Sequence, residues 1–183
     1  FSIPKQRTRP IVPFLNPSGT ILEVKRASPS KGDIAPSLDA VETAKVYAKA
    51  GTQAISVLTE SHFFKGSLQD LMDVSSAISN CSILRKDFLL KEEEIEISYL
   101  CGADAVLLIA RILDTETLLR MAAKARSFSM TPFIEIREKE DFLKLEEAIE
   151  EGDVVAGVNS RDLATFSIDP LIPAALRNRI LCK

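Results

Sequence analysis

Six short apolar blocks recur along the chain at comparable intervals: ILEVK (21–25), AISVLTE (54–60), SILRKD (82–87), AVLLIA (105–110), PFIEI (132–136) and VVAGVN (154–159). Each is rich in aliphatic and β-branched residues and has the length of a strand. The stretches between them carry helical patterns, over 39–50, 67–79, 91–100, 114–128, 138–150 and 170–176. End signals agree with these bounds. Asp39 is followed by Glu42 at capping-box spacing, and Asp114 is placed to cap the fourth helix. Gly51 and Gly102 follow their helices, where a left-handed residue closes the last turn. Ile180 reads as the opening of a seventh strand.

Strict alternation of strand and helix implies a parallel sheet with right-handed crossovers. An open doubly wound sheet would carry a Gly-rich phosphate loop after its first strand. Here RASPSKG follows instead. Polar groups at the C-terminal ends of several strands favour an α/β fold of the TIM (β/α)8 barrel type, with about six βα units and the start of strand seven. Residues 1–20, with Pro4, Pro10, Pro13 and Pro17, read as an irregular lead-in to a partial barrel domain over 21–183.

The strand ends carry the candidate chemistry. Glu23 and Lys25 are two apart and share a face of the first strand. They are either a proton-handling pair or a structural ion pair. Lys86 ends the third strand, with Arg85 and Asp87 turned to the helix side. It is either a general acid or a solvated strand-end lysine. Glu135 interrupts the apolar fifth strand and must find a partner, in Lys25 and Lys86 or elsewhere. Asn159 ends the sixth strand, and Arg161 follows with a grip for a carboxylate or phosphate. Ser28 in the first loop offers a hydroxyl to an anion. Phe64 and Phe88, in the second and third loops, suit an aromatic ligand or a local loop core.

Composition narrows the classes. The chain has 183 residues, 46% hydrophobic, with a net charge of −3. That suits one domain without the basic face that nucleic acid requires. No apolar run is long enough for a membrane span, and no signal-peptide pattern opens the chain. Cys81, Cys101 and Cys182 lack metal-ligand spacing, and His62 is the single histidine. A reduced, cytoplasmic setting follows, with multi-histidine metal chemistry disfavoured.

The stretches EVKRASPSKGDI (23–34), AISVLTESHFFKGS (54–67), ILRKDF (83–88), GADAVLLIARIL (102–113) and GVNSRDLATFSID (157–169) resemble indole-3-glycerol-phosphate synthase. The resemblance implies a TIM barrel of tryptophan biosynthesis. Its substrate would be 1-(2-carboxyphenylamino)-1-deoxyribulose 5-phosphate, closed to an indole with loss of CO2 and water, without metal or organic cofactor. By position, Lys86 matches the general acid, Lys25 the second catalytic lysine and Glu135 the carboxylate assisting proton removal. Glu23 and Asn159 match supporting polar groups. Ser28 matches a substrate-binding serine, Phe64, Phe88, Leu107 and Leu163 the anthranilate pocket, and Arg161 the basic residue of the sixth loop.

The family's SESG and Gly-Ser motifs, ending strands seven and eight, are not in the sequence. The chain opens on Phe1 and closes on ILCK, so the expectation is a barrel lacking its last two units. A second reading follows: a truncated, non-catalytic fragment that assembles through its open sheet edge. Another ribulose-phosphate-binding barrel, such as the isomerase of the preceding step, is disfavoured by the KDF and SPSKG motifs. Fusion or association with another tryptophan-pathway enzyme stays open.

Overall fold

The computed structural model describes residues 2–14, 19–162, 165 and 167–181, and the side chains of these up to residue 176. The elements in order are β1 (Ile21–Val24), β2 (Ala27–Ser28), β3 (Gly32–Asp33), α1 (Ala40–Lys49), β4 (Ala54–Leu58), α2 (Leu68–Ala77), β5 (Ser82–Lys86) and α3 (Glu92–Leu100). Then follow β6 (Ala105–Ile109), α4 (Thr115–Ser127), β7 (Thr131–Ile136), α5 (Lys139–Glu150), β8 (Val155–Val158) and α6 (Leu171–Leu181). Six strands form one sheet in the order β1-β4-β5-β6-β7-β8. Every pairing in it is parallel, as the alternation predicts.

Period-two alternation divides the side chains between two cores. Ile55, Val57, Ile83, Val106, Leu108, Ile134 and Ile136 face the helices, where they pack with Leu71, Ile95, Leu118, Met121 and Leu145. Ala54, Leu84, Ala105, Leu107 and Ile109 face the other way, into the barrel interior, with Phe133 and Val155 beside them. Gly157 makes room there. A Cβ on it would stand 2.6 Å from the Phe133 ring.

The helix ends follow the signals read above. The Asp39 carboxylate accepts from Val41 N at 2.9 Å and Glu42 N at 3.0 Å. Asp114 accepts from Thr117 N at 2.8 Å. Gly51 (φ 87°) and Gly102 (φ 93°) take the left-handed conformation.

One expectation is overturned, and two segments gain detail that the sequence did not show. Ile180 does not open a seventh strand, because α6 runs on to Leu181. Its Ile172 and Leu176, four apart on one helix face, pack on the outer core. In the first βα loop, β2 and β3 pair as a small antiparallel hairpin with Gly32 at φ 63°. The lead-in has a defined job. Phe14 is buried inside the barrel with Ala54, Leu84 and Ala105, edge-on to Phe133 at 5.8 Å.

Below that plug, Arg7 and Arg9 both pair with Asp104, at 2.6 and 3.2 Å. Asp104 also accepts from Val12 N and Ile83 N, at 3.1 and 2.8 Å. Arg7 reaches on to the carbonyls of Tyr99 and Ala103. The lead-in is thereby strapped across the N-terminal ends of β5 and β6.

Candidate active site

The opposite end of the sheet, where the strands terminate, opens into a cavity of about 650 Å³. Lys25, Ser28, Phe64, Lys86, Phe88, Leu107, Glu135, Asn159 and Arg161 all line it. Side chains from the whole length of the chain therefore converge at one mouth, as their strand-end positions predict. Leu163, read as a pocket residue, lies outside the described residues.

The lysines do not meet Glu135. They meet Glu23. Lys25 Nζ pairs with one carboxylate oxygen of Glu23 and Lys86 Nζ with the other. Strand register is the reason. Glu23 stands beside Ser56 of β4 and Lys86 beside Leu58, the next inward residue, so Lys86 reaches diagonally back across β4 to Glu23. Burial works to raise the Glu23 pKa. The charge of Lys86 and the hydrogen bonds from both lysines outweigh it, and the carboxyl is held below its ordinary value. Two ammoniums on one carboxylate leave a net positive charge beside the cavity.

Glu135 accepts from Asn159 Nδ2 at 3.0 Å, across the neighbouring strands β7 and β8. Asn159 is fixed in turn, because its Oδ1 accepts from Arg161 N at 2.9 Å. The Arg161 guanidinium donates to Ser30 Oγ at 2.6 Å and so links the loop after β8 to the hairpin after β1. Ser28 is buried in that hairpin.

The apolar wall is built by the second and third loops. Phe64 and Phe88 face each other with ring centroids 6.3 Å apart, and Leu107 and Ile109 rise from the interior below. Sequence reading missed what shapes this wall. The Glu60 carboxylate accepts from His62 N, Phe63 N and Phe64 N, at 2.7, 2.6 and 3.0 Å. The loop then passes Lys65 at φ 56° and Gly66, where a Cβ would stand 2.0 Å from the Leu58 carbonyl oxygen. An acidic residue at a strand end before a tight loop was the available signal. Arg85 lies on the helix side as read from the sequence, donating to Glu94 O and Ser98 Oγ of α3; Asp87, expected there too, accepts from Arg85 but also lines the cavity, because β5 has ended at Lys86.

At the base of the first loop, Arg26 makes a two-pronged pair with Asp70, both contacts at 2.8 Å, and donates to Leu38 O. Burial opposes the charge on Asp70. The bonds from Arg26 and Ser67 overcome it and keep the carboxyl below its ordinary value. This clamp ties the hairpin's return to the start of α2. Among the described residues, no helix is long and apolar enough to cross a membrane.

A family model described as indole-3-glycerol phosphate synthase matches residues 13–180. A protein of that name from Nautilia profundicola is 42% identical over 171 residues, covering 91% of this chain and 64% of the relative. One from Dehalococcoides mccartyi is 42% identical over 159 residues, covering 86% of this chain and 60% of the relative. The chain spans about three-fifths of the length of these curated relatives. Among solved structures, a 3-hexulose-6-phosphate synthase superposes with a TM-score of 0.60 at 17% identity, over 84% of this chain and 69% of that one. A 3-keto-L-gulonate-6-phosphate decarboxylase from Vibrio cholerae superposes at 0.61 and 12% identity, over 87% and 72%. These two share the fold, a parallel α/β barrel, of which six βα units are described here.

Proposed function

The chain belongs to the indole-3-glycerol phosphate synthase family, and from that membership we propose that it performs the family's ring closure. The reaction converts 1-(2-carboxyphenylamino)-1-deoxyribulose 5-phosphate to indole-3-glycerol phosphate with loss of CO2 and water. That makes the protein a carboxy-lyase of tryptophan biosynthesis, working in the cytoplasm without metal or organic cofactor. The observation that carries the reading is the pairing of Lys25 and Lys86 on one carboxylate, Glu23, beside a cavity walled by Phe64, Phe88 and Leu107.

Each part has a use. The aromatic ring of the substrate lies in the apolar slot, which holds its reacting carbon against the ketone. As the new C–C bond forms, the carbonyl oxygen gathers negative charge. Lys86 stabilises it and delivers a proton. Lys25 faces the carboxylate that leaves as CO2. Glu135, oriented by Asn159, takes the proton lost as water is eliminated and the indole becomes aromatic. Glu23 holds both lysines aimed until the substrate's own anions take its place. Arg161 and Ser28 receive anionic and hydroxyl groups at the mouth.

The test is turnover of the carboxyphenylamino-deoxyribulose phosphate by the purified protein, read as the rise of indole fluorescence, with Lys86→Ala as control. Turnover that vanishes in the variant is the expected result. A wild-type protein that binds and converts nothing overturns the reading.

A second reading rests on the sheet's edges. Among the described residues, β1 and β8 each pair on one side only. Bare edges of this kind support assembly through added strands, with another copy or another pathway enzyme. Sedimentation separates the two readings, since a protein that pairs through its edges instead of catalysing is oligomeric and inactive.

A further inference from the structure

Lys86 is followed directly by a carboxylate that does not bind it. β5 ends at Lys86, so the alternation that sends Arg85 outward and Lys86 inward no longer governs Asp87. Asp87 lines the cavity, and nothing in the backbone period keeps its charge away from the lysine beside it. Its direction is set by side chains. Arg85 Nη2 and Thr59 Oγ1 both donate to Asp87 Oδ2, at 3.0 and 2.6 Å, and Phe88 N donates to Oδ1 at 2.9 Å.

Arg85 is 4% exposed, an unusual place for a guanidinium. Its fork is held on the far side by Thr59 Oγ1, Ser98 Oγ and Glu94 O, at 3.0, 3.0 and 3.2 Å. Ser98 Oγ has a further bond to Glu94 O at 2.6 Å, so α3 does not depend on Arg85 to satisfy its own polar groups. Among the described residues, the one anion Arg85 pairs with is Asp87.

We propose that Arg85 is a positioning residue: it holds the Asp87 carboxylate on the helix side of β5, and so leaves the Lys86 ammonium to Glu23 and to the substrate. The inference rests on the ring-closure reading for its consequence in catalysis, but not for its geometry. With Arg85 gone, Asp87 is free to turn to Lys86, its chain neighbour in the cavity lining. A second carboxylate on Lys86 then competes with the developing alkoxide for the same ammonium.

The test is a three-variant series, Arg85→Met, Asp87→Asn and the double variant. In Arg85→Met, kcat/KM falls roughly tenfold to a hundredfold. Adding Asp87→Asn, which keeps the acceptor for Phe88 N and removes the charge, restores most of the loss. A purely structural role for Arg85 predicts no such recovery, and absence of recovery in a folded double variant overturns the proposal. So does an Arg85→Met protein within twofold of wild type.

If Arg85→Met does not fold, Thr59→Val decides. It removes the other donor to Asp87 Oδ2 and is expected to cost activity that Asp87→Asn recovers. A readout independent of turnover runs in parallel. Acetylation of Lys86 by acetic anhydride, which releases acetate, followed by peptide mass spectrometry, slows in Arg85→Met and recovers in the double variant. Should wild type show no turnover, the ring-closure reading fails, while the labelling series still decides the role of Arg85.

Discussion

Each end of this barrel holds one carboxylate between two cations, and the two sites behave oppositely. At the N-terminal end, Asp104 sits between Arg7 and Arg9 with its side chain fully buried. At the mouth, Glu23 sits between Lys25 and Lys86 with its side chain 24% exposed. Burial pushes the Asp104 carboxyl above its ordinary value, against the pull of the arginines and of two backbone amides. At Glu23 the lysines win over burial and hold the carboxyl down. Arginine and lysine divide the work in keeping with their chemistry. The fixed, permanently charged fork suits a buried strap, and the flexible, titratable ammonium suits an active site. The first cluster straps the lead-in to the sheet, and the lysines of the second line the open cavity.

The comparison is broken most sharply by removing one charge from each end. Lys86→Ala is expected to lower kcat by about 10²–10⁴-fold, the usual contribution of a general acid, while thermal unfolding stays near that of wild type. Steady-state indole fluorescence and a calorimetric scan report the two halves. Asp104→Ala is expected to do the reverse. It strands two buried guanidiniums and costs about 3–5 kcal/mol in urea unfolding, with kcat of the folded fraction little changed. A stable Asp104→Ala protein with impaired turnover would mean that the floor serves the mouth.

Phe14→Ala sharpens the same contrast without charge. It empties a site 5% exposed at the barrel floor, and a loss of about 3 kcal/mol is expected from the removed ring and the cavity left behind. Binding at the mouth should be unaffected.

The smallest effect is a pH dependence. A carboxyl lowered in the folded state adds stability above its unfolded value, here 4.5, and loses it as the pH falls through the lowered folded value. The gap in stability between wild type and Glu23→Gln, under about 1 kcal/mol for so accessible a pair, should therefore close on acidification. Asp104 has the opposite sign. Its carboxyl is raised from 3.8, so its charge costs stability above that value, and acid relieves the cost. Urea midpoints measured between neutral pH and pH 3 test both signs.

Much of this was legible in order along the chain. The six strands and six helices follow from apolar period and end residues, because those preferences act over a few neighbours. The predicted strands run one or two residues past their ends at Lys25, Glu60, Asp87, Ala110 and Asn159, where side-chain pattern continues but the ladder does not. Alternation was enough to send Lys25, Lys86 and Glu135 inward at one mouth. It was also enough to turn Arg85 to the helices.

Tertiary structure decided the partners. Glu23, not Glu135, receives both lysines, because register brings Glu23 and Lys86 within one inward position of each other across β4, and no periodicity encodes register across crossover helices. Arg161 finds Ser30 from 131 positions away, and Phe14 finds the floor of a barrel built from strands that follow it. Local sequence determines which face a side chain takes. Which atom it meets there depends on how distant strands are brought into line, and only the assembled sheet settles that.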